Sequence, residues 1–306
     1  SEFALLEEAA RSRSEADWIV GMNATRAATI RLRSSFDGAV SLGRVQTPTL
    51  AILTRREEEI RAFIPEAYWL VDAKFEADGG RKYEGRYHAG AKPRIEKQAS
   101  ADEIVAAVKG QRGKITKLDK TKKTEKPAML YDLTSLQRDA NTRFGFSAKR
   151  TLGAAQRCYE EHKALTYPRT NSRYLTSDMV DEIKPTAEQV GRDSEYTAAA
   201  EYVTGLDLLP LARVVNDEKV GDHHAIIPTN AEHKLDKMGS DDRRIYDLVV
   251  RRFLAIFHPD AEFENTRVET TVSEHVFRTR GKVLIVPGWR GVYGELADGA
   301  KSAAEE

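Results

Sequence analysis

Two stretches with strand periodicity, separated by more than half of the 306-residue chain, constrain this sequence most. In the first, Trp69, Val71, Ala73 and Phe75 alternate with Leu70, Asp72 and Lys74, and Asp78-Gly79-Gly80 marks a hairpin turn into Lys82–His88. The second runs from Phe263 to Val286, with Arg280-Gly281-Lys282 expected at a turn. Helical patterning fills the interval between them. An isolated hairpin is marginal in water, so the order of these blocks implies one β unit interrupted by an inserted domain.

The first sixty residues read as helical, with Leu5, Leu6 and Ala9, then Trp18, Met22 and Ala24, spaced as an apolar stripe. After a loop at Phe36-Asp37-Gly38, Thr47 is expected to cap a second helix with Pro48 in its first position, and Leu50, Leu53 and Ile60 continue its face. Beyond Pro127, Thr134-Ser135-Leu136-Gln137 fits a capping box. The helix it opens stops at Gly145, and Ser147 caps another whose Leu152, Ala155 and Tyr159 share a side. Helix, short turn, helix and the extended Leu165–Tyr167 resemble a helix-turn-helix unit with a following strand, an arrangement that serves DNA binding in some proteins and plain packing in others.

The expected fold is therefore α+β, in parts: a helical base over 1–64, a β arch from 65–128 and 262–296, an inserted helical, winged-helix-like domain over 129–261, and a disordered tail at 297–306. Hinges are expected near Pro127 and Glu262. Ser1-Glu2-Phe3 carry no signal-peptide pattern and read as residues left by cloning. No apolar run approaches the roughly 20 residues that span a bilayer. The single cysteine, Cys158, excludes an internal disulfide framework and a cysteine zinc ribbon, and fits a buried apolar role in a reducing, cytoplasmic setting.

Forty-eight basic residues balance forty-eight acidic ones, so net charge does not point to nucleic acid. Their distribution is uneven. Lys109–Lys126 holds eight basic residues against Asp119 and Glu125, which suits either a phosphate-attracting patch or a strand edge protected from pairing by lysines.

Three segments carry candidate chemistry. In Leu165-Thr-Tyr-Pro-Arg-Thr-Asn-Ser-Arg-Tyr-Leu175, Pro168 pushes Tyr167 towards extended backbone, so Tyr167 and Arg169 would project together. A guanidinium favours the phenolate of a group whose ordinary pKa is about 10 and holds a phosphate through two hydrogen bonds. Ser172 and Arg173 add donors. The alternative is a half-buried strand-end tyrosine with Arg169 stacked on it. In Gly221-Asp-His-His-Ala-Ile-Ile-Pro-Thr229, His223 and His224 face opposite sides of an extended chain, which suits one phosphate contact or proton donor better than a metal site. In Ser41-Leu-Gly-Arg-Val-Gln-Thr-Pro-Thr49, Gly43 permits close backbone approach, and Arg44 and Gln46 are donors beside a helix start that favours anions.

Together, in this order, these segments resemble type IA DNA topoisomerases, with His223-His224-Ala-Ile-Ile-Pro-Thr229 most similar to the topoisomerase III branch. Asp17–Arg26 and Gly288-Trp-Arg-Gly-Val-Tyr-Gly294 extend the resemblance from about Asp17 to Gly294. It implies a toroid whose arch opens as a gate. It further implies that Tyr167 attacks single-stranded DNA to form a transient 5′-phosphotyrosine, religated without ATP. Arg169 would orient Tyr167 and His223 would contact a neighbouring phosphate, with His224 a weaker candidate. Arg13, Asp17, Ser41, Arg44 and Gln46 would line the strand-binding groove. Asn171 stands where family members usually carry Asp.

No Asp-x-Asp-x-Glu run of the family's amino-terminal Toprim domain occurs in this sequence. No cofactor is expected in this chain, and Mg²⁺ and the proton donor to the departing 3′-oxygen are expected from that domain. The fragment alone is then expected to bind single-stranded DNA without relaxing supercoils. The resemblance also implies a chromosome-associated location and a helicase or single-strand-binding partner. A non-enzymatic DNA-binding or architectural module, in which Tyr167 only stacks on bases, is the rival reading. Tyrosine recombinases fit less well, because they need a cluster of Arg and His around a helix-borne Tyr.

Overall fold

A computed structural model describes residues 3–77 and 79–295. Asp78 of the expected turn and the tail 297–306 lie outside them. The chain divides into two compact units, Ser1–Tyr68 and Trp69–Glu306.

The first unit is helical: α1 (Ala4–Trp18), a π-helical turn (Ile19–Ala24), α2 (Thr25–Arg31) and α3 (Gln46–Arg61). Helix α3 starts earlier than the sequence suggests. Val45 occupies the cap position, and the Thr47 hydroxyl instead accepts from the Gly43 amide at 3.0 Å. Pro48 is thus the third helical residue, still within the turn whose amides lack helical partners. No described residue of this unit is buried, and Leu5, Trp18, Leu50, Ile52 and Phe63 are all exposed.

The second unit is α+β. Its five-stranded antiparallel sheet has the order β1-β2-β5-β4-β3, with β1 Asp72–Glu76, β2 Lys82–Tyr87, β3 Lys114–Glu125, β4 Ala261–Val272 and β5 His275–Val286. Strands from both sides of the helical interval therefore share hydrogen bonds. The turn expected at Arg280-Gly281-Lys282 is not there: β5 runs straight through, with Gly281 opposite Thr266. The chain reverses at Ser273 and Glu274, whose φ values of 43° and 71° give the left-handed pair that suits a two-residue hairpin. Helix α4 (Gln98–Val108) had no clear sequence signal; its Ala101 and Ile104 cover Val71, Val272 and Phe277 on one sheet face.

The larger core lies among α5 (Leu133–Phe144), α6 (Ala148–Glu160), α7 (Ile183–Val190), α8 (Thr197–Thr204) and α9 (Ser240–Ala255). Nine of the sixteen α9 residues are buried, so this helix is wrapped on most of its circumference. The capping box of α5 uses Asp132 and Ser135 rather than Thr134 and Gln137. The Asp132 carboxylate accepts from the Ser135 amide at 2.6 Å, and the Ser135 hydroxyl accepts from the Asp132 amide at 3.2 Å. Gly145, at φ 67°, ends α5, and Ser147 caps α6 as the sequence indicates. The buried α6 face is Thr151, Ala154, Ala155 and Cys158, which leaves Tyr159 partly exposed.

Where the chain passes between sheet and helices, it is clamped. Trp289 donates its indole N–H to the Glu125 carbonyl at 2.8 Å, and Arg290 pairs with the Glu125 carboxylate at 2.6 Å. Gly288 makes this approach feasible, with φ 51° and an amide neighbour, Trp289, bonded to the Pro259 carbonyl. A Cβ on Gly288 would sit 2.5 Å from the carbonyl oxygens of both Pro259 and Asp260. Gly288→Ala should lower unfolding stability by about 1–3 kcal/mol, the usual cost of a forced backbone strain. Urea unfolding followed by tryptophan fluorescence measures this, and a wild-type midpoint would show that the joint relaxes freely.

Candidate active site

The Tyr167 segment has no long strand to hold it, so its backbone polar groups are satisfied piecemeal. The Thr166 amide donates to the Ile227 carbonyl at 2.9 Å, and the Thr166 hydroxyl accepts from the Ile227 amide at 3.0 Å. Leu165 bridges to Pro228, and the Ala225 amide donates to the Tyr174 carbonyl. The Thr170 carbonyl accepts from the Leu133 amide at 3.0 Å, and the Thr170 hydroxyl donates to the His223 carbonyl at 2.9 Å. Buried polar groups left without partners would cost about 1–3 kcal/mol each, so this web fixes the Tyr167 segment against the stretch His223–Pro228.

Within that frame the Tyr167 ring lies 4.5 Å from the His223 ring, centroid to centroid, and meets Tyr159 edge-on at 5.5 Å. Arg169 is exposed and donates to the Gln156 side-chain carbonyl at 3.2 Å. Gln156 and Tyr159 are three apart on α6, so one helix face holds both members of the expected pair. No described residue hydrogen-bonds the Tyr167 hydroxyl or the His223 ring, which leaves those polar heads open to a ligand. From the sequence Tyr159 reads only as part of a helix face, and Gln156 and Thr170 are not singled out. The i, i+3 spacing of Gln156 and Tyr159 was the signal available.

The neighbouring donors are used inside the protein. Ser172 is 4% exposed, and its hydroxyl donates to the Lys219 carbonyl at 3.0 Å and accepts from the Tyr174 amide at 3.1 Å. Arg173 pairs with Asp132 at 2.8 Å, tying the segment to the start of α5. His224 is half-buried, with Nδ1 2.8 Å from the Ala225 carbonyl. Asn171 is exposed.

The strand-groove candidates all fall in the first unit. Arg44 pairs with Asp17 at 2.6 Å and holds its carboxyl below the ordinary carboxylate range, with Arg13 at 4.0 Å from the same group. Gln46 donates to the Ser41 hydroxyl at 2.8 Å. Thus Arg13, Asp17 and Arg44 form one charged group, and Ser41 and Gln46 a second pair. Cys158 is buried beside Asp242, and burial pushes its thiol up to about 12, so it is inert. Among the described residues no group of three or more His, Cys, Asp or Glu side chains converges to hold a metal ion. Nor is any described helix long and apolar enough to cross a membrane.

The family model for DNA topoisomerase matches residues 2–305. This chain belongs to the DNA topoisomerase family. DNA topoisomerase 3 of Bacillus subtilis is 41% identical over 295 residues, covering 95% of this chain and 39% of that protein. DNA topoisomerase 3 of Shouchella clausii is 42% identical over 290 residues, covering 94% and 38% respectively. The chain thus spans about two fifths of the length of these curated relatives. The type IA, topoisomerase III resemblance of the motifs agrees with them. Full-length topoisomerase I from Thermotoga maritima shares the fold, with a TM-score of 0.70 and 23% identity over 95% of this chain and 46% of that one.

Asp132 offers a check on how the site is held. Burial alone would raise its pKa, but hydrogen bonds from Ser135 and the Arg173 guanidinium outweigh this and hold it below the ordinary value. A depressed folded pKa gives stability that is present above the ordinary value of about 3.9 and is lost as pH falls through the folded one. Asp132→Ala, which removes cap and ion pair together, should cost about 1–2 kcal/mol at neutral pH. Asp132→Asn, which keeps a capping oxygen, should cost less. The gap between wild type and Asp132→Ala should close as unfolding is measured at increasingly acidic pH; a gap independent of pH would show that the charge contributes nothing.

Proposed function

We propose that this chain is the strand-cleaving core of a type IA topoisomerase, with Tyr167 as its nucleophile. The carrying observation is Tyr167 pinned between His223 and α6 with its hydroxyl uncommitted, beside an exposed Arg169. The phenolic oxygen would attack the phosphorus of a single-stranded DNA phosphodiester as the bond to the 3′-oxygen breaks. The tyrosine proton leaves, and the 3′-oxygen takes one up. The product is a 5′-phosphotyrosine and a free 3′-hydroxyl, which reverses by attack of that hydroxyl. Exchanging one phosphoester for another keeps the bond energy, so religation needs no ATP.

Arg169 would hold the phosphate and favour the phenolate. His223 would contact a neighbouring phosphate oxygen. Ser172 and Arg173, whose polar atoms are bonded within the protein, would shape the segment rather than touch DNA first. Arg13, Asp17, Ser41, Arg44, Gln46 and His224 would guide the strand. The strand-linking sheet would form the arch of a toroid, and the helices around Tyr167 a winged-helix-like head. Mg²⁺ and the proton donor to the 3′-oxygen would come from a Toprim domain, so the chain by itself would bind single-stranded DNA without relaxing supercoils. Helicase or single-strand-binding partners would feed it substrate.

The test mixes the chain with end-labelled single-stranded DNA, with and without a separately supplied Toprim domain and Mg²⁺, and looks for a denaturation-resistant adduct. An adduct that needs the added domain, sits on the 5′ end and disappears in Tyr167→Phe is expected. Salt-sensitive binding with no adduct under any condition would favour a DNA-binding module, and relaxation by the isolated chain would overturn the dependence on Toprim.

A further inference from the structure

The sheet carries a second cationic feature, away from the residues around Tyr167. Antiparallel pairing of β4 and β5 sets Arg267 directly opposite Arg280. Residues so placed have their Cβ atoms about 5 Å apart, and like charges there destabilise the sheet. Both side chains are exposed.

Asp119 stands directly opposite Arg267 on β3, and Glu84 lines a depression with Arg280, but each acid is paired with another cation, Asp119 with Lys117 and Glu84 with Lys74. Register puts Lys117, Asp119, Glu269 and Arg278 beside the pair, and these six residues line one shallow depression. Lys117 pairs with Asp119 at 3.1 Å, and Arg278 with Glu269 at 3.0 Å. Four cations against two acids leave an excess of two, and it resides on Arg267 and Arg280, which have no ion-pair partner among the described residues. Lys123, on the same face four residues along β3 from Asp119, is also without one; at about 3.3 Å per residue it lies roughly 13 Å further on.

We propose that Arg267 and Arg280 form a phosphate clamp on the sheet face, which binds the backbone of single-stranded DNA as a contact separate from the cleavage site. One phosphodiester has two non-bridging oxygens, so a single group can accept from both guanidiniums and offset the repulsion between them. The contact is to backbone only and carries no sequence preference. The idea rests on the reading that this chain handles DNA, but not on Tyr167 chemistry.

Fluorescence anisotropy of a labelled single-stranded oligonucleotide, titrated with the full chain over a salt series, tests it. Each phosphate neutralised on a single strand contributes about 0.7 to the salt slope, so R267A/R280A, which loses the grip on one phosphate, should bind with a slope about 0.7 shallower than wild type. Its melting temperature without DNA should equal or exceed wild type, since a repulsion has been removed, and this separates loss of contact from loss of fold. Tyr167→Phe should keep the wild-type slope, so adduct failure and clamp failure read out separately. An unchanged slope in R267A/R280A, a lowered melting temperature, or no salt-dependent binding by the wild-type chain would overturn the clamp. So would a poly-glutamate competitor that binds the pair while the DNA slope stays unchanged, which would assign the face to an acidic protein segment.

Discussion

The backbone of Leu165–Leu175 must find hydrogen-bond partners without belonging to a sheet, and the placement of the candidate site follows from how it does so. Thr166 bonds both ways to Ile227, Thr170 reaches Leu133 with its carbonyl and His223 with its hydroxyl, and Tyr174 accepts from Ala225. None of these is strong alone, at about 0.5–1.5 kcal/mol net. Their value lies in what is spared: the segment is flanked by buried residues, where an orphaned amide or carbonyl is expensive. Two distant stretches, around Tyr167 and around His223, are thereby locked in one register.

That register also explains a division of labour among polar side chains. Thr166, Thr170 and Ser172 have turned inward and are spent on backbone, while Tyr167, Arg169 and His223 keep their heads unbonded or nearly so. The alternation is what an extended chain produces when one face packs and the other is open, but Pro168 breaks the regular ladder. Being unable to donate, Pro168 leaves no amide to satisfy at the point where Tyr167 must stay accessible.

Much of this was legible beforehand. The two β blocks were legible as strand-rich stretches on either side of a helical interval. Other parts were hidden for identifiable reasons. The β4–β5 reversal uses Ser273 and Glu274 in left-handed conformations that glycine or asparagine would normally signal, so Gly281 drew attention to the wrong place. The α5 cap fell on Asp132 because its carboxylate also answers Arg173, a tertiary contact invisible to a local motif. Tyr159 and Gln156 lie beside the buried α6 face, and only the tertiary docking of the Tyr167 segment makes them part of the site.

The two units differ in how far their own sequence stabilises them. The second holds a continuous buried core with α9 at its centre. In the first, no described residue is buried, and leucine, isoleucine and tryptophan side chains stand exposed along α1 and α3. Apolar exposure on that scale is characteristic of surfaces that other protein covers. The ion pair of Asp17 with Arg44 and the Gln46–Ser41 hydrogen bond are surface contacts, weak individually and screened by salt. Residues held only by such contacts on such helices gain little order from within, whereas Tyr167 sits on a packed scaffold. The surroundings of Tyr167 are therefore preorganised by this chain, whereas the contacts among Asp17, Arg44, Ser41 and Gln46 rest on helices whose apolar side chains stand exposed.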